Sequence, residues 1–448
     1  MKKNGEYDPP KYGSLKKTCR IMKVTLLLLM FTIYQSFGAA YSQQVKLDIS
    51  LDNGNFAQFM EQVKNQSDFT FFFNDAMVMG LKNITLHMKQ TDIETILKEC
   101  LKNSNISFRI KDHTIILFGR DEKQQGEIVI KGMVVDESGA GDYRTLTEAV
   151  AACAATPDEP VRFYIRHGIY EERPFIELAD YVIEGEYRNA TVITASVGGR
   201  DPWPGEVKTG TFRSATLFLG GGRAVVRNLT VQNNAGDGAK AGQALAVYAD
   251  ASRVLMENVN LYGNQDTLFT APLPLQEREK NGFRGPRENA PRLDTTQYYR
   301  RCTIRGNIDF IFGGANAVFD SCRIEPWHHK TGTCYITAPS TPAGKPGYLF
   351  VDCTVAGNCA PGSVYLGRPW RADAACYWLD CSLSEEVCAG GWDNWHDPEN
   401  EKTARFGEYG STGLGSAPAR AFGSVDSIAE ADVQRAMLAR LRAELGLV

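Results

Sequence analysis

Neither sign of charge dominates this chain: 49 Lys and Arg stand against 53 Asp and Glu, for a net charge of −4. Binding driven by neutralising nucleic-acid phosphates is therefore not indicated. Metal-spaced cysteine pairs are missing too. The 11 cysteines include no CxxC, and the six histidines are scattered apart from His328-His329. With no Cys/His group at zinc spacing, no metal and no other cofactor is expected. No long low-complexity tract interrupts a chain that is 43% hydrophobic, and 448 residues allow two or more domains with at least one large core.

Long apolar runs are short here as well. The N-terminal run, Val24 to Ile33, is too brief for a comfortable membrane span. It has a basic start at Lys23 and a small-residue exit at Ala40-Tyr41-Ser42, the build of a secretory signal peptide. Residues 1–42 thus read as leader and signal peptide, with Met22 as an alternative start and a signal anchor as the competing reading. No cysteine follows the run, which speaks against a lipoprotein-type anchor. The expected product is exported, to the periplasm or to the outer surface and beyond, and monomeric.

Residues 43–120 alternate strand-like and helix-like patterns. In "NFAQFMEQVKNQ" the residues Phe56, Phe59 and Val63 share a helical face, and in "DIETILKECLKN" so do Ile93, Ile96, Leu97 and Leu101. The pattern predicts a small α+β module with no catalytic constellation. It resembles the short N-terminal signalling module of TonB-dependent glycan transporters. "IVIKGMVVDESG", Ile128 to Gly139, then looks like the opening strand of the β-sandwich that follows in those proteins, so residues 121–139 read as linker plus partial sandwich strand. The rest of the sandwich, the plug and the barrel do not follow here, which speaks against transport. A periplasmic regulator is the partner this module implies.

From residue 140 helices almost disappear until the C-terminus. Six short runs share one signature: "NLTV", "NVNL", "RCTI", "SCRI", "DCTV" and "DCSL". Their second residues, Leu229, Val259, Cys302, Cys322, Cys353 and Cys381, are apolar or Cys, at spacings of 30, 43, 20, 31 and 28. Each fourth residue is aliphatic. Repeats of about 20 residues with variable loops point to a solenoid, and a right-handed parallel β-helix over residues 140–448 fits best. A disulfide between Cys302 and Cys322 and a ladder of buried thiols are the two readings of the cysteine column. "DSIAEADVQRAMLARLRAELGL" reads as a C-terminal amphipathic helix with Ile428, Val433, Met437 and Leu441 among its apolar positions, packed on or capping the solenoid.

The ladder gives meaning to an echo. "YGNQDTLFT" and "RGNIDFIFG" align without a gap once Val259 is set against Cys302, placing Asp266 level with Asp309, Leu268 with Ile311 and Phe269 with Phe312. Two aspartates in equivalent places of neighbouring coils resist ionising together, which divides them into a proton donor and an ionised nucleophile or base. Gln265, and Gln243 of "QALAV" one coil earlier across a gap, are neutral amide donors suited to an oxyanion. Arg368 and Trp370 of "VYLGRPW" fall near the same surface from further on. The plainer reading makes both aspartates turn residues bonded to the backbone. Phe269 and Phe312 suit a groove lining and a packed core equally.

Several separated motifs, "GAGDYRTLTEAV", "TGTFRSATL", "GQALAV", "GNQDTLF", "DFIFGGANAVFDSC" and "LGRPWR", in this order, resemble the pectinesterase (pectin methylesterase) family of carbohydrate esterases. The resemblance implies a secreted carboxylic ester hydrolase that removes methyl esters from galacturonate units of pectin, the homogalacturonan of plant cell walls. It implies Asp309 as nucleophile, Asp266 as general acid and then base, and Gln265 as stabiliser of the tetrahedral intermediate. Gln243, Arg368, Trp370 and Thr211 of "GTFRSAT" would contact substrate, with Arg368 also orienting Asp309. Two other functions compete: a β-helix lyase or hydrolase acting on the polygalacturonate backbone, and a non-catalytic component for glycan binding or signalling. Calcium dependence and unsaturated products would mark the lyase.

Overall fold

The computed structural model describes residues 45–72, 81, 83–102, 104, 106–111, 114–119, 131–328 and 332–444. The leader and signal peptide read from residues 1–42 lie outside this set. The chain divides into two compact units, Met1–Ile128 and Val129–Val448.

In the first unit, strands Lys46–Gly54 and Ile84–Asp92 pair antiparallel. Strand Thr70–Phe72 pairs in parallel with Thr114–Gly119, which also runs antiparallel to Ile106–Lys111. Helix Phe56–Lys64 starts at a capping box between Asn55 and Gln58, and helix Ile93–Cys100 starts where Asp92 accepts from the Thr95 N–H. Both helices bury the predicted face: Phe56, Phe59, Val63, Ile93, Ile96, Leu97 and Leu101 share one core with Leu47 and Ile49. Alternation in the strands and 3.6-residue spacing in the helices suffice to build this unit.

The second unit winds through three strips of parallel strands. The first strip holds Leu268–Thr270 and Ile308–Gly313, the second Arg253–Glu257 and Thr296–Arg300, and the third Asn260–Tyr262 and Thr303–Gly306. Each strand pairs in parallel with its counterpart one coil on. That is a parallel β-helix.

The six-fold signature marks its sharpest corner. Its first residues, Asn228, Asn258, Arg301, Ser321, Asp352 and Asp380, all sit in the left-handed region, with φ between 52° and 57°. Such a backbone is uncommon outside glycine, and Asn and Asp tolerate it best. The corner turns the chain from the second strip to the third, so the next residue points inward. Leu229, Val259, Cys302, Cys322, Cys353 and Cys381 are accordingly buried, as are Val231, Leu261, Ile304, Ile324, Val355 and Leu383.

Ladders of like residues follow from strands stacked at about 4.8 Å. Tyr299, Phe319, Phe350 and Trp378 stack in sequence at centroid distances of 4.7, 4.4 and 4.0 Å with rings within 9° of parallel. The cysteine column is a ladder of thiols. Cys302, Cys322, Cys353 and Cys381 each donate to the carbonyl two residues back, that of Arg300, Asp320, Val351 and Leu379. Cys302 and Cys322 are not bonded to each other.

Two expectations need correction. Strand Lys131–Val135, read as the start of a β-sandwich, pairs in parallel with Val161–Ile165 and so belongs to the solenoid. Its Met133 and Val135 join the solenoid core, which an isolated sandwich strand has no means to do. In helix Ile428–Glu444, Ile428 and Val433 are 65% and 63% exposed, so they are not on the packed face. That face is carried by Ala431, Gln434, Leu438 and Leu441, three or four residues apart, with the expected Met437 packed beside them. Leu441 packs against Val225, Leu255 and Tyr298 of the second strip, and Arg442 donates to the Tyr298 hydroxyl at 2.7 Å and pairs with Asp320.

Candidate active site

The two aspartates stand at equivalent corners of adjacent coils. The ladder pairs Leu268 with Ile311 and Phe269 with Phe312, as the alignment required, and the Asp266 N–H donates to the Ile308 carbonyl at 3.0 Å. Both are in the left-handed region, Asp266 at φ 64° and Asp309 at φ 51°. Asp tolerates this region better than most residues, and the same φ serves the structural corner at Asp352 and Asp380.

The shared glycine explains how the corner closes. A Cβ on Gly263 would stand 2.6 Å from Thr267 Oγ1, and one on Gly306 would stand 2.2 Å from the Phe310 Cβ. Each glycine therefore lets the chain fold back onto the residue just past its aspartate. Asn307 locks the second corner, its N–H donating to the Asn264 carbonyl at 2.9 Å and its Oδ1 accepting from the Ile308 N–H at 2.8 Å.

A groove of about 380 Å³ opens over these corners. All seven sequence-derived site residues line it: Asp309, Asp266, Gln265, Gln243, Arg368, Trp370 and Thr211. Thr211 opens a short turn of 3₁₀ helix, Thr211–Arg213, just after Gly210 at φ 78°. The gap needed to bring in Gln243 is a bulge: the Ala246 and Val247 N–H groups both donate to the Thr267 carbonyl, while Ala244 donates to that of Gln265. Of the two phenylalanines, Phe312 lines the groove and Phe269 is fully buried beneath it.

The two carboxylates have unequal company. Arg368 grips Asp309 with both arms, Nε to Oδ1 at 2.8 Å and Nη2 to Oδ2 at 2.7 Å. Its guanidinium is sandwiched between the rings of Tyr335 and Trp395, 3.8 and 3.9 Å from their centroids. That clamp makes Arg368 a fixed cation rather than a mobile one. Asp266 makes no ion pair or side-chain hydrogen bond among the described residues. Burial, and then the Asp309 charge, push its carboxyl well above the ordinary range, with Arg368 opposing only at a distance. Burial raises Asp309 as well, but there the two hydrogen bonds and the charge of Arg368 pull the other way. Asp266 is thus the member that keeps a proton and Asp309 the member that gives it up first.

Gln265 and Gln243 leave their side-chain amides free of hydrogen bonds among the described residues. A Cβ on Gly238 would come within 2.5 Å of Gln265 Oε1, so the short helix Gly238–Ala241 sets the position of that amide. Trp370 packs edge-on against Phe312 and Phe283 at 5.7 and 6.3 Å, standing as part of an aromatic wall.

Motif spacing missed several lining residues. Arg278 and Phe283 come from the long loop between the aspartates, and Trp395 comes from a loop near the end of the solenoid. Trp395 and His396 are both left-handed, at φ 58° and 60°, which turns Trp395 back over Arg368 and Arg278. Arg371 is held by the carbonyls of Trp370 and Gln276. Arg278 and Arg371 have no carboxylate at salt-bridge distance among the described residues, so even with Glu279 in the lining and Asp397 acting on Arg278 from further off, the two arginines outnumber the acid in this part of the wall. Only "PWR" at Arg371 carried a hint of this in the sequence.

Comparison with known proteins finds relatives of both units. The family model described as pectinesterase matches residues 132–273 and 292–423, leaving out most of the loop that carries Arg278 and Phe283. Residues 69–120 match the model described as secretin and TonB N terminus short domain. Among curated proteins, a probable pectinesterase/pectinesterase inhibitor of Arabidopsis thaliana is 32% identical over 63% of this chain and 46% of its own length. The chain thus spans about half the length of that relative. Among solved structures, the pectin methylesterase from carrot is 26% identical, covering 68% of this chain and 91% of its own, with a TM-score of 0.56. The pectin methylesterase of Erwinia chrysanthemi is 25% identical, covering 67% and 94%, with a TM-score of 0.55. A family match over more than half of the chain, centred on the parallel β-helix and its paired aspartates, places the chain in the pectinesterase family.

Proposed function

We propose that the chain hydrolyses methyl esters of galacturonate in pectin, releasing methanol and leaving a free carboxylate. The observation that carries this reading is the asymmetry of the aspartate pair: equivalent positions, one carboxylate clamped by a buried arginine and the other without a cation of its own.

Asp309, kept ionised by Arg368, attacks the ester carbonyl carbon. The carbonyl oxygen gains the charge, and the uncommitted amides of Gln265 and Gln243 donate to it. Asp266 hands its proton to the departing methoxide, so methanol leaves and an acyl-enzyme remains on Asp309. The Asp266 carboxylate then takes a proton from water, whose oxygen attacks the acyl carbon. Asp309 is released as a carboxylate and Asp266 is again protonated, so the cycle closes without a further reactant. Trp370 offers a flat apolar face to a sugar ring, with Thr211 contacting the same chain.

The family relatives carry pectin methylesterase in their names, and the positive groove wall suits a glycan that gains negative charge as it reacts. We further propose that the product is exported and acts as a monomer, and that its N-terminal module binds a periplasmic regulator. A pull-down with that module as bait, in the full chain, should capture such a partner. For the catalytic reading, purified full-length protein should release methanol from highly methylated pectin and leave the sugar backbone intact. Unsaturated oligosaccharides instead of methanol would show backbone cleavage and overturn it.

A further inference from the structure

Ten cysteines lie among the described residues, and two of them break the pattern of the ladder. Cys334 opens the strand Cys334–Pro339 in the first strip, and Cys359 lies in the loop after Thr354–Val355 in the third. Their Sγ atoms are 3.2 Å apart, across a separation of 25 residues. That is inside the van der Waals contact of two sulfurs and about 1.2 Å longer than a covalent S–S bond. The ladder thiols donate to backbone carbonyls and neighbour one another along the column, but among the described residues only Cys334 and Cys359 bring their sulfurs within 3.2 Å.

The surroundings hold this pair in place from both sides. The Cys334 N–H donates to the Ser363 carbonyl at 2.9 Å, and its Sγ lies 3.3 Å from the Trp327 carbonyl. On the other side, Glu386 accepts from the Gly357 N–H at 2.7 Å and from the Cys359 N–H at 2.8 Å, and from the Ser384 hydroxyl at 3.0 Å. Cys334 is 1% exposed while Cys359 is half-buried, so an oxidant meets Cys359 first.

We propose that Cys334 and Cys359 form a disulfide when the protein meets a disulfide-bearing oxidant, such as oxidised glutathione or a protein disulfide. The Cys359 thiolate attacks one sulfur of the oxidant, forming a mixed disulfide and expelling one thiolate. The Cys334 thiolate then attacks Cys359 Sγ, making the intramolecular bond and expelling the second. Two electrons pass to the oxidant, and the two thiol protons go to the expelled thiolates. The bond ties the start of the strand to the Glu386-anchored loop. The residue after Cys334 is Tyr335, whose ring supports the Arg368 guanidinium. The crosslink therefore braces the wall behind Asp309 without touching substrate.

Full-length protein treated with oxidised glutathione, denatured, alkylated and digested without reductant provides the test. The expected result is one cross-linked peptide joining Cys334 to Cys359, 2 Da lighter than the sum of its reduced halves, with the ladder cysteines alkylated. Reduction should then lower the thermal midpoint by on the order of 5 °C. Cys359→Ser, at the more exposed position, should fold and abolish that response. Complete alkylation of both cysteines after treatment, or a Cys302–Cys322 crosslink in their place, would overturn the proposal. So would a response to reductant that persists in Cys359→Ser.

Discussion

Replacing Arg368 by alanine separates the electrostatic account from a purely structural one. The substitution removes two charge-assisted hydrogen bonds, 2.8 and 2.7 Å long, between side chains that are only 14% and 11% exposed. Leaving a buried carboxylate without its partner costs about 3–5 kcal/mol. Taken wholly from the reactive, ionised form of Asp309, that corresponds to a loss of roughly 10²- to 10⁴-fold in kcat/KM at neutral pH. Asp309 has an escape, because it can bind a proton. Arg368 lowers the Asp309 pKa, so its loss raises it, and the acid limb of the kcat/KM profile should move to higher pH. The sign for stability follows the same way. A carboxyl whose folded pKa lies above its unfolded value contributes stability that is present below the unfolded pKa and lost as pH rises through the folded one. The variant, with the higher folded pKa, should therefore lose thermal midpoint relative to wild type increasingly as pH rises from the ordinary carboxylate range. Arg368→Lys, which keeps the charge but not the two-armed contact, should fall between them. Methanol release and thermal melts across pH read both effects. An acid limb that stays put or moves to lower pH in a folded Arg368→Ala protein would refute the reasoning.

Other outcomes follow from the same geometry. Asp266→Asn should lower kcat by roughly 10²- to 10⁴-fold through loss of the proton donor. Because the Asp266 pKa is raised by burial and the Asp309 charge, the variant should also gain stability over wild type as pH rises, measured by thermal melts. Gly238→Ala drives a methyl into Gln265 Oε1 and should cost roughly 10- to 100-fold in kcat with little change in KM, seen in steady-state methanol release. Phe350→Ala removes a ring stacked on both sides, by Phe319 at 4.4 Å and Trp378 at 4.0 Å, and should destabilise the solenoid by about 3–5 kcal/mol in denaturant titration.

The sequence disclosed whatever is periodic. Strand stacking repeats one coil after another, so Leu268 and Ile311 could be aligned by spacing and the aspartate pair came with them. The inward column from Leu229 to Cys381 was visible for the same reason. What the spacing did not disclose is that its preceding residues share a left-handed corner, because Arg301 and Ser321 occupy it as well as Asn and Asp. Residues that reach the groove from irregular loops were illegible. Arg278 and Trp395 owe their places to local backbone turns rather than to a period, and Tyr335 matters through a ring contact that no motif records. Strand Lys131–Val135 was misassigned because an isolated apolar run does not name its partner; its parallel neighbour begins 30 residues later, at Val161. Helix Ile428–Glu444 and its packing through Met437 and Leu441 were legible, but the exposed Ile428 and Val433 were not told apart from them. Two apolar stripes compete on its surface, and burial selected the one bearing Ala431 and Leu441.

The central claim is the division of labour between the two aspartates, and methanol release from highly methylated pectin by three proteins addresses it most directly. Wild type should be active, while Asp309→Ala and Asp266→Ala should each be nearly inactive with melting behaviour showing an intact fold. Undiminished methanol release from either variant would contradict the account.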